Sequence, residues 1–224
     1  MKQGPDRRWI VLAAFAVVAM AAILIGCGGS DDSTTTATVG ANGCKEVETP
    51  EPKDVSLPTP KQAVKRGEKL TAVVQTSCGS FDIALDTQRA PKTANSFAYL
   101  ADEGLYDDLT FHRVVSGFVI QGGDPEGTGS GGPGYSVVEV PPENASYTKG
   151  VVAMAKSPAE PPGSSGSQFF VVTSADAGLP PEYALVGKVS KGYGTVAKIN
   201  SLATPSSETP KQPVLIEKIT IEKG

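Results

Sequence analysis

The chain has 224 residues, of which 39% are hydrophobic and 20% charged, with a formal net charge of -4. These values are ordinary for a globular protein once an apolar N-terminus is set aside. Beyond residue 27 the chain holds 17 basic and 23 acidic side chains and no basic stripe, which disfavours nucleic acid as a partner.

Lys2, Arg7 and Arg8 precede an apolar run from Trp9 to Ile25, the order of a charged region and a hydrophobic region in an export signal. Leu24-Ile25-Gly26-Cys27 then resembles the lipobox of bacterial lipoproteins, in which the Cys becomes lipidated. A signal anchor with an incidental Cys is the alternative. The polar run Gly28 to Thr36 follows at once, as a tether between anchor and domain would. The expected organisation is a signal peptide over 1–27, a flexible polar and Pro-rich tether over 28–66, and one domain over 67–224. The implied location is extracytoplasmic, lipid-anchored to a bacterial membrane, with a tethered monomer as the default. Arg7-Arg8 leaves general and twin-arginine export both open.

Export changes the reading of the other two cysteines. Cys44 and Cys78 form an even pair outside the cytoplasm and are a disulfide candidate, with two free buried thiols as the alternative. His112 is the single histidine and sits in no ligand-like cluster, so no metal is expected.

From residue 69 the chain is rich in β-prone runs. Residues 70–76 and 81–85 flank Ser77-Cys78-Gly79, and Phe81, Ile83 and Leu85 alternate with smaller or charged neighbours, predicting a hairpin. Pro91 opens a helical stretch with Ala94, Phe97, Ala98 and Ala101 on one face and Gly104 as its stop. Further β-like runs cover 111–115, 118–122, 150–155, 169–173, 184–189 and 214–221, and a short helix over 195–202 carries Val196, Ile199 and Leu202 on one side. Eight short strands and two helices predict a mainly β fold, a closed eight-stranded antiparallel barrel capped by two helices. Periodicity alone leaves a sandwich open.

The stretch Phe111-His112-Arg113-Val114-Val115-Ser116-Gly117-Phe118-Val119-Ile120-Gln121-Gly122-Gly123-Asp124 resembles the signature block of the cyclophilin family. Gly150 to Ala155 and Gly166 to Val172 are similar to two further blocks of that family, and the likeness spans about residues 70 to 222. It implies a peptidyl-prolyl cis/trans isomerase that needs no cofactor and takes proline-containing polypeptides, here exported ones, as substrates.

The chemistry follows from the peptide bond. Rotation about X-Pro meets a barrier of roughly 18–20 kcal/mol, because amide resonance gives the bond partial double-bond character. A cation that donates to the lone pair of a pyramidalising proline nitrogen stabilises the twisted state more than either planar state. By resemblance Arg113 is that cation, Gln121 orients it or the substrate carbonyl, and His112 lies with them on the peptide-binding face. Phe118, Val119, Phe170 and Leu179 are expected to line the proline pocket, with Tyr183 at a further pocket position. Ala155, Lys156 and Gln168 border the peptide-binding face.

The chain departs from the family at Gly178, where Trp is common, at Tyr183, often His, and at Lys156, often Asn. The loop from Ser157 to Ser165 is about three residues longer. These changes alter the rim and predict weak affinity for cyclosporin-like ligands. They also keep a second reading open, a proline-peptide-binding chaperone module with little turnover. Gly127 to Gly132 contains a dinucleotide-type glycine pattern, but Pro133 follows and no helix is there to receive a pyrophosphate.

Overall fold

Alternation of apolar residues at period two builds the first hairpin. In the computed structural model, which describes residues 39–224 apart from Ala41, Leu70, Ala72 and Val74 of β1 (Leu70–Thr76) turn inward. They meet Phe81, Ile83 and Leu85 of β2 (Gly79–Leu85), paired antiparallel across a turn at Ser77 and Cys78. The expected signal segment with Cys27 lies outside the described residues, as does the tether before residue 39.

Pro91 stands at the start of α1 (Pro91–Asp102), where its missing N–H costs nothing. The helix buries Ala94, Phe97, Ala98 and Ala101, the face read from the sequence. Gly104, at φ 69°, ends it: Gly104 N–H donates to Ala101 O and Leu105 N–H to Leu100 O, the paired bonds of a left-handed C-terminal cap.

The remaining strands are β3 (Leu109–Thr110), β4 (Arg113–Val115), β5 (Val119–Gly122), β6 (Val137–Val138), β7 (Val151–Met154), β8 (Ser164–Ser165), β9 (Phe169–Val172), β10 (Leu185–Lys191) and β11 (Leu215–Lys223). The main sheet runs β3-β11-β1-β2-β10-β7-β9-β5-β4. Its two end members, β3 and β4, belong to one stretch of chain separated only by Phe111 and His112. That stretch pairs with β11 on one side and with β5 on the other, so the sheet closes on itself with eight strand positions. The expected unbroken run over 111–115 is therefore kinked, and the kink turns both Phe111 and Val114 into the core. β6 and β8 form a separate small ribbon that no periodicity announced.

Inside the barrel, rings pack edge to face: Phe97 on Phe169 at 5.4 Å, Tyr106 on Phe169 at 5.7 Å and Phe111 on Phe169 at 6.0 Å between centroids. The second helix, α2 (Tyr193–Asn200), begins two residues earlier than predicted, after Gly192 at φ 71°. Val196 and Ile199 are buried from it, and Leu202 is buried from the turn beyond.

The tether expected over 28–66 is shorter than its composition implies. Cys44 is fully buried and bonded to Cys78, with the sulfurs 2.05 Å apart. Val55, Leu57 and Val64 pack against the core, Lys53 N–H donates to Pro125 O, and Leu57 N–H donates to Pro133 O. Asn95 Oδ1 of α1 accepts from both Ala63 and Val64 N–H. A Pro-rich segment lacks donors for a ladder, which is why it reads as a linker. Here several of its N–H groups, those of Lys45, Lys53, Leu57, Ala63 and Val64, find acceptors on the domain, and it lies along the barrel as a strap.

Candidate active site

The same alternation that fills the barrel displays the site on its outer wall. On β9, Phe169 and Val171 face the core, whereas Phe170 and Val172 belong to a second apolar cluster outside it. On β5, Ile120 points in, while Val119 joins the outer cluster. Register then aligns the functional side chains: Arg113 is opposite Gln121, Gln121 opposite Phe170, and Phe170 opposite Ala153. Four neighbouring strands thus set one row of outward residues across about three strand spacings.

A cavity of about 200 Å³ sits on this row. Phe118, Val119, Phe170 and Leu179 give it apolar walls, while Arg113, Gln121, Ala155, Lys156 and Tyr183 complete its border. Gln168 stands just beside it, accepting at Oε1 from Gln121 Nε2 at 3.0 Å. Every predicted binding or catalytic residue is therefore brought together here except His112. Its ring lies outside the cavity lining, with both nitrogens buried and without a hydrogen-bond partner. His112 follows β3 and directly precedes Arg113 in the chain, but it is not among the residues that line the cavity.

Arg113 is gripped from several sides. Its Nε donates to Glu208 Oε2 at 2.5 Å and its Nη2 to Glu208 Oε1 at 3.0 Å, while Nη1 donates to Gln121 Oε1 at 3.2 Å. The guanidinium carbon lies 5.8 Å from the Phe118 ring centroid. Hydrogen bonding from Arg113 holds the Glu208 carboxyl below the usual carboxylate range. Glu208 carries no sequence motif and was not anticipated.

Lys156 has a nearly buried side chain, 5% exposed, with its ammonium 3.3 Å from Glu182 Oε2 and 5.6 Å from the Tyr183 ring centroid. Tyr147, also unanticipated, accepts Tyr183 N–H at 2.9 Å and donates to Tyr183 O at 2.6 Å. Burial pushes its hydroxyl up to about 12, so it stays a neutral two-way clamp on the loop bearing Tyr183. Gly178, at φ 64° with open space around it, does not reach the cavity.

A second, larger cavity of about 650 Å³ adjoins the first and shares Gln121, Ala155 and Lys156 with it. Its far wall is the glycine-rich loop, Gly129 to Ser136. That loop is organised by buried Asp124, whose carboxylate accepts the N–H groups of Glu126 and Gly129. No helix follows it, so the glycine pattern builds a groove wall.

An antiparallel barrel whose outer wall carries a pocket with apolar walls, edged by the Arg113 guanidinium and the ion-paired Lys156 ammonium, is fitted to bind and polarise a neutral amide. Comparison with known proteins specifies the class. Residues 71–221 match the model of the cyclophilin-type peptidyl-prolyl cis-trans isomerases. Peptidyl-prolyl cis-trans isomerase B of Streptomyces anulatus is 37% identical over 174 residues, covering 69% of this chain and 98% of that protein. Isomerase A of Mycobacterium tuberculosis is 38% identical over 169 residues, covering 67% and 91%. The crystal structure of a cyclophilin-type isomerase from Cryptosporidium parvum superposes with a TM-score of 0.64 at 32% identity, over 70% of this chain and 99% of that one. A second structure of that protein, determined in the presence of the dipeptide Ala-Pro, gives 0.63. The chain belongs to the cyclophilin-type peptidyl-prolyl cis-trans isomerase family.

His112 supplies a test of what the site does not use. Burial pulls its imidazole below the ordinary value of 6.5, with Arg113 acting in the same direction and Asp124 opposing. The unfolded chain therefore takes up the proton first as pH falls. The stability contributed by keeping this ring neutral is complete above about pH 6.5 and is lost as pH drops toward the depressed native value. Urea midpoints at pH 7.5 and 5.5 are expected to differ more for the wild type than for His112→Gln. Turnover, needing no proton transfer, should stay flat between about pH 6 and 8 in both. A bell-shaped rate profile that disappears in His112→Gln would return this residue to the reacting set.

Proposed function

We propose that this isomerase accelerates X-Pro exchange in exported polypeptides from a lipid anchor on the outer face of a bacterial membrane. The observation that carries the site assignment is the meeting of Arg113 with Phe118, Val119 and Phe170 at one small cavity. In this reading the apolar walls take the pyrrolidine ring, gaining on the order of 25 cal/mol per Å² of apolar surface removed from water. Arg113 donates to the proline nitrogen as the amide twists and its lone pair localises. Gln121 steadies the guanidinium, and the shared groove past Gln168 and Lys156 takes the flanking chain. That the Cryptosporidium relative was also crystallised in the presence of Ala-Pro supports X-Pro as the unit recognised.

Export is supported independently by Lys2, Arg7 and Arg8 before an apolar run ending in Cys27, and by the Cys44–Cys78 bond, which persists in oxidising compartments. Cys27→Ser is expected to release the protein from the membrane fraction or to leave an unprocessed precursor. Fractionation and intact mass decide it, and a variant processed and retained like the wild type would end the lipoprotein reading. A protease-free isomerisation assay on the full-length chain, with prolyl peptides that differ in the residue before proline, tests the catalytic reading. Peptide binding without turnover would leave a chaperone module.

A further inference from the structure

We infer that Glu208 is a positioning residue for isomerisation, fixing the plane of the Arg113 guanidinium so that its remaining N–H groups serve the cavity. The inference rests on the assignment of Arg113 as the cation that acts on the twisted amide. Glu208 lies in the connection between α2 and β11, far in sequence from the signature block. Two separate ties bring it to Arg113. Val114 N–H donates to Glu208 O at 2.6 Å, which fixes the backbone of Glu208 beside the residue next to Arg113. The carboxylate then takes the Nε and Nη2 edge of the guanidinium in a two-bond fork.

An exposed ion pair between two long side chains ordinarily contributes little, because both must be immobilised to form it. This pair differs in that the backbone bond has already placed the carboxylate. The fork also leaves the opposite edge for the site. Of the five guanidinium N–H groups, two go to Glu208 and one to Gln121, leaving one on Nη1 and one on Nη2. Gln121 is held in turn, since its Nε2 donates to Gln168 Oε1 at 3.0 Å and Gln168 Nε2 donates to Gly131 O at 2.9 Å. The guanidinium is therefore the middle of a relay fixed at both ends, one in the 204–209 loop and the other in the glycine-rich wall. Without Glu208 it keeps a single 3.2 Å bond to Gln121 and the face of Phe118, and it can rotate about its long stem.

Removing a negative charge also strengthens the field of Arg113, which opposes this loss. Glu208 is 61% exposed, however, so water already screens most of its influence. Lost orientation therefore outweighs the gained charge. The full-length chain of Glu208→Ala is expected to show kcat about tenfold lower, with KM for a prolyl peptide within about twofold, because apolar walls dominate ground-state binding. Glu208→Gln keeps one acceptor and should lose only about threefold. The Arg113 Nε–H resonance, sheltered from exchange in the wild type, should exchange rapidly in Glu208→Ala. Adding Glu208→Ala to Arg113→Ala should cost nothing more.

Several results would overturn the inference. They are a Glu208→Ala kcat within twofold of wild type, a kcat that rises, or a further tenfold loss in the double variant. Wild-type turnover in Arg113→Ala itself would instead remove the assignment beneath it. An inactive Arg113→Ala beside a normal Glu208→Ala would sink the positioning role alone.

Discussion

Arg113→Ala is expected to lower kcat/KM by about two to three orders of magnitude, a loss of roughly 3 to 4 kcal/mol in transition-state stabilisation. The cation is felt chiefly when resonance breaks and the proline nitrogen becomes a lone-pair acceptor, so binding of the planar substrate should change far less. Arg113→Lys should recover only part of the rate. An ammonium on a flexible stem cannot bond both oxygens of Glu208 through one planar edge while also reaching Gln121, as the guanidinium does. Phe118→Ala provides the contrast, because the wall it removes contacts the ring in ground and transition states alike. Its KM should rise while kcat falls modestly. A protease-free assay together with a peptide titration separates the two patterns. Wild-type turnover in Arg113→Ala would refute the assignment.

How far the sequence discloses this arrangement depends on the kind of order each residue obeys. β1 and β2 were legible because apolar residues alternate there and a short turn intervenes. α1 was legible because Pro91 and Gly104 punctuate it. The row Arg113, Gln121 and Phe170 was visible through its resemblance to a family block, and cross-strand register is the physical reason those distant positions form one surface. Glu208, Glu182 and Tyr147 were not visible. Each reaches its partner from another part of the chain, through a loop or a single hydrogen bond, and such contacts leave no period in the sequence. The strap was misread for a related reason. Proline-rich composition reports a chain that cannot form a regular ladder, and it does not report that Pro125 O, Pro133 O and Asn95 Oδ1 accept from Lys53, Leu57, Ala63 and Val64. The kink at Phe111 and His112 was hidden because residues 111–115 hold no Gly or Pro and look like one β-prone strand.

Replacing both Cys44 and Cys78 by Ala is expected to give the largest loss of stability that leaves the chemistry untouched. The bond joins residues 34 positions apart, and releasing a loop of that length restores unfolded-chain entropy worth roughly 3 to 4 kcal/mol at 25 °C. For a domain of this size that corresponds to a fall in Tm of roughly 6 to 16 °C. The denaturant slope should rise slightly, since the uncrosslinked unfolded chain exposes more surface. In the folded state the strap keeps other holds: Lys45 N–H donates to Ser77 O, Leu57 N–H to Pro133 O, and Asn95 still accepts from Ala63 and Val64. Lys198, which donates to the Cys78 carbonyl at 3.1 Å, still ties α2 to the β1–β2 turn. Neither cysteine lies on β4, β5, β7 or β9, whose outer faces form the pocket, so kcat/KM at 25 °C should remain within about twofold of wild type. Denaturation with and without reductant checks the bond itself, because reduction should carry the wild type to the midpoint of the variant and leave the variant where it is. Equal midpoints in all four conditions would mean that the crosslink contributes nothing to stability. A folded variant with collapsed turnover would show instead that the strap, through its bond to Pro133, holds the wall of the peptide groove in place.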